Sequence, residues 1–247
     1  MSFYAVWRET VEAVHRRSKQ PCAVHSQVSG TGGEATETQR CGVLISIYII
    51  AITAEAMSGA LAAGRRNMDL FGVVVIAFLT ALGGGTVRDI LLGNFPVSWT
   101  QHPSYIYLTI IAGLVTVMIA RFMRHLHQLF LVLDAVGLVT FTVIGCNVAL
   151  NLEYQSTVVI MSGITTGIFG GIIRDIMCNR TPLVLRQELY ASVALVVASL
   201  YLWLLSLGIE EDIILLATFS LGLLLRMIAI RWRIALPVFS YLRTNWD

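Results

Sequence analysis

The chain contains the same device twice. A shift of 86 residues, which carries Arg88 onto Arg174, lays ALGGGTVRDILLGNFPV on GIFGGIIRDIMCNRTPL without a gap. Gly84 and Gly85 meet Gly170 and Gly171, while Arg88, Asp89 and Ile90 meet Arg174, Asp175 and Ile176. Thr80 meets Thr166, Gly59 meets Gly145 and Pro96 meets Pro182. Any fold open to this chain must build that unit in both halves.

Composition decides the solvent. Apolar residues make up 56% and charged residues 13%, against about 25% charged in a typical soluble protein. Seven apolar segments, at about 43–63, 70–92, 104–122, 129–150, 156–178, 189–208 and 211–230, approach the ~20 residues that cross a ~30 Å hydrocarbon core. The expectation is an all-α membrane protein with the lipid bilayer as its medium. Three segments fall in each repeat, residues 42–122 and 129–208. An odd number of crossings turns the second copy upside down, a 3 + 3 inverted repeat with a seventh helix at 211–230.

Charge in the connections gives the orientation. GRRNMD, RFMRHLHQ and CNRTPLVLRQE carry arginines, as does the basic tail at 231–247, whereas NFPVSWTQHPS, NLEYQ and GIEED carry no Lys or Arg. Basic loops stay cytoplasmic, so the C-terminus is expected inside and the N-terminus outside. Residues 1–41 are polar and lack the apolar core of a signal peptide. They read as a mobile extracytoplasmic tail, with an interfacial helix over Met1–Lys19 as the alternative.

Glycine and charge mark the working segments. Gly83, Gly84 and Gly85 lie well inside the second span, and Gly170 and Gly171 at the corresponding depth of the fifth. Glycine costs about 1 kcal/mol in a helix relative to alanine. These runs, with Thr80 and Thr166, are therefore expected to kink the second and fifth helices and to line a polar path. Close helix packing is the competing reading, and it is preferred for SGALAAG at the end of the first span.

Ionisable residues inside spans are costly and usually paired or functional. Here they are Glu55, Arg88, Asp89, Asp134, Arg174 and Asp175, with Arg226 near the end of the last span. Depth along the helices predicts a cluster of Glu55, Asp134 and Arg174 toward the cytoplasmic side. Such a cluster could serve a pore or simply lock helices together. With Arg226 left aside, four carboxylates against two arginines favour cations over anions in any aqueous path.

Soluble-enzyme chemistry is not indicated. GGGTVRD completes neither a P-loop nor a dinucleotide fingerprint, and no lysine follows Lys19. The four cysteines lack metal-site spacing, so no metal or cofactor is expected, and nothing points to nucleic acid.

The paired blocks GGGTVRDILLGNFPVSW and GGIIRDIMCNRTPLVLRQELYA, with LDAVGLVTFTVIG and SGALAAGRRNMDLFG, resemble the bacterial inner-membrane family related to trimeric intracellular cation (TRIC) channels. The same family also carries the label of glycine transporter. The resemblance covers about Ile47 to Leu207. It implies a homotrimer with an hourglass pore in each seven-helix protomer, conducting monovalent cations such as K⁺ and Na⁺. It also implies that the glycine-kinked second and fifth helices line that pore. Two positions depart from the family pattern. Tyr48 stands where many members have an aspartate, although its repeat mate Asp134 is retained. Glu55 stands where relatives have an aromatic residue, as its mate Phe141 still is. The two halves are therefore electrically unequal. A secondary transporter of a small amino acid such as glycine is the alternative function.

Overall fold

In hydrocarbon a backbone has no hydrogen-bond partner but itself, so long apolar runs become helices. The computed structural model describes residues 34–120, 126–186 and 189–232. Among them are nine helices: α1 (Glu34–Gly64), α2 (Leu70–Leu92), α3 (Ser98–Gln101), α4 (Ser104–Ala120), α5 (Leu126–Asn151), α6 (Ser156–Met177), α7 (Leu183–Arg186), α8 (Tyr190–Ser206) and α9 (Glu211–Trp232). Five are long and apolar enough to cross a bilayer: α2, α5 and α6 in full, and the Ser46–Gly64 and Asp212–Trp232 portions of α1 and α9. α4 and α8 are apolar helices of 17 residues. α1 begins at Glu34, so its first turns fall within the stretch read as a polar tail. The rest of that tail and residues 233–247 lie outside the described residues.

The repeat seen in sequence recurs in geometry at the same shift. α4 and α8 start and stop at corresponding residues, and so do the starts of α2 and α6. Asn67 and Glu153, the matching residues of the turns into α2 and α6, both have positive φ, 52° and 60°. Gly93 caps the end of α2, and its counterpart Asn179 follows the cap residue Cys178 of α6; the two are in the left-handed region at φ 67° and 49°. Glycine and asparagine are the residues that enter this region most readily at helix ends. Asn94 N then donates to Asp89 O, and Arg180 N to Asp175 O, each at 2.8 Å.

The packing shows that the copies are inverted. α1 packs on its own mate α5, and α2 on its own mate α6. Along the first pair, Tyr48 meets Phe141 and Glu55 meets Gly137, so residue numbers rise in one helix as they fall in the other. Mates that run antiparallel across a shared contact are related by a two-fold axis perpendicular to them. α9 packs against α8 and α5, outside the symmetric pair.

The glycines also serve the packing of the two helices. Helical hydrogen bonding runs unbroken through Gly83–Gly85 and Gly170–Gly171. Breaking it would leave backbone groups unsatisfied at several kcal/mol each, more than the glycine penalty can offset. At these glycines α2 and α6 cross with their backbones in contact. A Cβ on Gly84 would strike the carbonyl oxygen of Thr166, and a Cβ on Gly170 would strike that of Thr80. The contact is reciprocal under the two-fold axis. Gly59 and Gly145 likewise leave room for the Thr80 and Thr166 side chains, whose hydroxyls donate back to Ile76 O and Ser162 O at 2.6 Å.

This crossing separates neighbouring glycines. Gly84→Ala puts a methyl against a backbone carbonyl and is expected to destabilise by about 1–3 kcal/mol, the usual cost of overpacking. Gly85, where the nearest atom to an added Cβ is Arg88 Nη2 at 3.8 Å, should accept alanine without loss. Thermal unfolding of the two purified variants in detergent checks the difference.

Candidate functional site: two buried arginine–aspartate nodes

Each glycine helix ends in Arg-Asp, and in both copies the pair folds onto itself. Arg88 Nε and Nη2 donate to Asp89 Oδ1 at 2.9 and 2.6 Å. Arg174 Nε donates to Asp175 Oδ1 at 2.9 Å. Arg88, Asp89 and Arg174 are at most 1% exposed, and Asp175 is 4% exposed. The second oxygen of each aspartate holds the chain beyond the helix end. Asp89 Oδ2 accepts from Ser98 N and Oγ at 2.8 and 2.7 Å, and Asp175 Oδ2 accepts from Leu183 N at 2.9 Å. Each node thus pins the start of the short helix α3 or α7. Charge-assisted bonds of this kind are roughly twice as strong as neutral ones.

Beyond this shared core the nodes diverge. In the first, Arg88 Nη2 also donates to Ser98 Oγ at 3.0 Å, and Asn94 Nδ2 donates to Asp89 Oδ1 at 3.1 Å. Nearby, Tyr48 packs on Tyr105 with ring centroids 4.9 Å apart and edge-on to Phe141 at 6.2 Å. In the second, Asp134 takes the place of Tyr48 and supplies a further carboxylate. Arg174 Nη1 donates to Asp134 Oδ1 at 2.6 Å and to Ser58 Oγ at 2.7 Å. Tyr190 OH donates to the same Asp134 oxygen at 3.3 Å. The Arg174 guanidinium lies 4.6 Å over the Phe130 ring, and Arg226 lies 4.5 Å over the ring of Tyr190.

Glu55 sits beside this second node. Its carboxyl fills the space that a Cβ on Gly137 would take, one helical turn from Asp134. Asp134, Arg174 and Asp175 are the charges that act on it. It is 1% exposed, and among the described residues neither of its oxygens has a hydrogen-bond partner; Asp134 Oδ2 and Arg174 Nη2 have none there either. Toward the loop after α1, Arg65 also lies over the Phe130 ring, 5.0 Å from its centroid. Partial burial and the cations Arg180 and Arg174 hold its guanidinium below the ordinary arginine range.

The structure therefore brings Asp134, Arg174 and Asp175 into direct contact, with Glu55 alongside, and keeps Arg88 and Asp89 in a separate node. Gly83, Gly84, Gly170 and Gly171 are buried and Gly85 is half-buried, with Gly171 facing Tyr190, Arg174 and Asp134. Sequence reading missed Ser58, Ser98, Asn94 and Tyr190 as partners. Ser58 carried a signal, since it follows Glu55 by one turn. Tyr190 carried none, because only packing lays α8 against α5.

Two inverted copies of a three-helix unit, each closed by a buried arginine–aspartate pair, define a polytopic membrane protein of the inverted-repeat class. The family model described as glycine transporter matches residues 45–121 and 131–206, one copy in each half. The chain belongs to this family, the bacterial homologues of the TRIC channels. It is 40% identical over 186 residues to a UPF0126 membrane protein of Vibrio cholerae, covering 75% of this chain and 78% of that one. It is 37% identical over 196 residues to the inner membrane protein YadS of Escherichia coli K12, covering 78% of this chain and 94% of that one. Among solved structures, the TRIC trimeric intracellular cation channel orthologue from Rhodobacter sphaeroides matches with TM-score 0.75 and 33% identity, over 78% of this chain and 99% of that one. A TRIC cation channel structure concerned with conductance matches with TM-score 0.73 and 34% identity, over 80% and 98%.

The unequal nodes give an ordering of stability. Asp89 is the one carboxylate paired with Arg88 among the described residues. Asp89→Asn strands a buried cation and is expected to cost about 3–5 kcal/mol. Asp134→Asn leaves Arg174 its pair with Asp175 and should cost less. Unfolding of both variants under one set of detergent conditions tests the order.

Proposed function

We propose that this protein is a channel for monovalent cations, K⁺ and Na⁺, of the TRIC type. The observation that carries the reading is the match to a TRIC channel over 99% of that channel's chain at 33% identity. The likeness thus extends to the whole protomer rather than to a shared motif. In this reading all seven long helices cross the membrane. An hourglass pathway runs through each protomer along α2 and α6, bent at their glycines, with Gly83, Gly84, Gly85, Gly170, Gly171, Thr80 and Thr166 on its walls. Three protomers associate in the bacterial inner membrane, with the N-terminus outside and the arginine-rich connections and C-terminus in the cytoplasm.

Purified protein in planar bilayers should give unitary K⁺ currents, and in a KCl gradient the reversal potential should move toward that of K⁺. A reversal potential that stays at zero would remove cation selectivity. Asp134→Asn should change unitary conductance or open probability. The description of the matching family model favours a second reading, a secondary transporter of glycine. In that case an arginine and a carboxylate would hold the zwitterion, as in other inverted-repeat carriers. Saturable, gradient-driven glycine uptake into proteoliposomes without unitary currents would replace the channel reading with that one.

A further inference from the structure

The two-fold axis pairs contacts as well as residues. It carries Tyr48 onto Asp134 and Phe141 onto Glu55. On one side of the axis the α1–α5 contact is an aromatic pair, Tyr48 and Phe141, edge to face at 6.2 Å. On the other side the same two places hold two carboxyl groups. Both are sealed inside the protein, Glu55 at 1% and Asp134 at 0% exposure. Asp134 Oδ1 is occupied by Arg174 and Tyr190. Its Oδ2 and both oxygens of Glu55 have no hydrogen-bond partner among the described residues.

The groups facing Glu55 can be taken helix by helix. α1 offers Ser58, whose hydroxyl is engaged by Arg174. α5 offers Asp134, α6 offers Arg174 and Asp175, and α8 offers Tyr190. Behind Tyr190 stands Arg226 of α9. α4 has no charged residue, and its Tyr105 lies at the Tyr48 end of α1. The charges of α2, Arg88 and Asp89, are bound to each other in the opposite node. With Glu55 ionised, three carboxylates would face the one guanidinium of Arg174 in a dry interior, with Arg226 beyond Tyr190 and Arg65 beyond Phe130. Two carboxyl groups sharing such a site cannot both ionise cheaply. A proton is the counter-ion that needs no cavity. Its presence removes the charge of Glu55 and leaves Asp134 and Asp175 facing Arg174.

We propose that Glu55 and Asp134 form a proton-binding site, with one proton held by the carboxyl pair on Glu55. The proton comes from water on the side of the turn after α1, and binding forms only the O–H bond. One consequence rests on the channel reading. Release of the proton adds a negative charge beside the pathway, so K⁺ current should rise as pH is raised on that side.

Infrared spectroscopy of the full-length protein in lipid at neutral pH tests the site directly. The expected result is a carbonyl band of a protonated carboxyl that shifts in heavy water and is lost in Glu55→Gln. Glu55→Phe, which installs the residue found at the mate position, should also lose the band and provides a second variant if the glutamine disturbs folding. A wild-type spectrum without the band, or a band unchanged in both variants, overturns the proposal. Bilayer recordings separate this from the channel reading. K⁺ currents whose pH dependence disappears in Glu55→Phe support both. The same pH dependence in wild type and variant overturns the link between proton and current. A Glu55 band in a protein that passes no unitary current supports the proton site and overturns the channel.

Discussion

The reciprocal contact between Gly84 and Gly170 is the constraint on which the rest of the structure depends. Each glycine lies where a Cβ would meet a carbonyl oxygen of the partner helix. Side chains here would push α2 and α6 apart. Apolar lipid provides little drive to bring helices together, so close approach and dispersion contacts hold them. Once the helices touch along their backbones, the two repeats share an axis. The antiparallel match of α1 with α5 follows from it, as does the placement of each Arg-Asp pair at opposite ends.

The nodes at those ends show how a membrane interior accommodates charge. A buried arginine is tolerable when a carboxylate and further hydrogen bonds surround it. Arg88 meets that condition with its neighbour Asp89 and with Ser98 from the following helix. Arg174 draws on α1, α5 and its own helix through Ser58, Asp134 and Asp175. The same dipeptide thus closes a local turn in one half and ties three helices together in the other. The difference comes from single positions, Tyr48 opposite Asp134 and Phe141 opposite Glu55. An inverted repeat with unequal halves need not behave alike from its two sides.

Much of the fold was legible because membrane helices follow apolar length, and duplication follows self-similarity. The spans read at 70–92 and 156–178 are α2 at Leu70–Leu92 and α6 at Ser156–Met177. The grouping of Asp134 with Arg174 could be expected because rise per residue fixes depth. That Gly84 and Gly170 receive a partner helix was not legible from propensity. A helix penalty of about 1 kcal/mol suggests a break, whereas the unsatisfied backbone that a break leaves in lipid costs more. Nothing local in Gly84 distinguishes a residue that opens a helix from one that receives another helix. Tyr190 was equally silent, since its hydroxyl reaches Asp134 only after α8 folds against α5.

The sequence by itself determined the solvent, the helical class and the duplicated, inverted plan, because these depend on hydropathy, charge in short connections and repetition along one dimension. It also determined that the halves would differ electrically, since Tyr48 and Glu55 break the repeat in plain view. Only the tertiary structure decided which charges pair, which glycines touch and which carboxyl oxygens are left without a partner. Those outcomes turn on contacts between helices far apart in the chain, where a shift of one turn exchanges a satisfied hydrogen bond for a buried, unpaired atom.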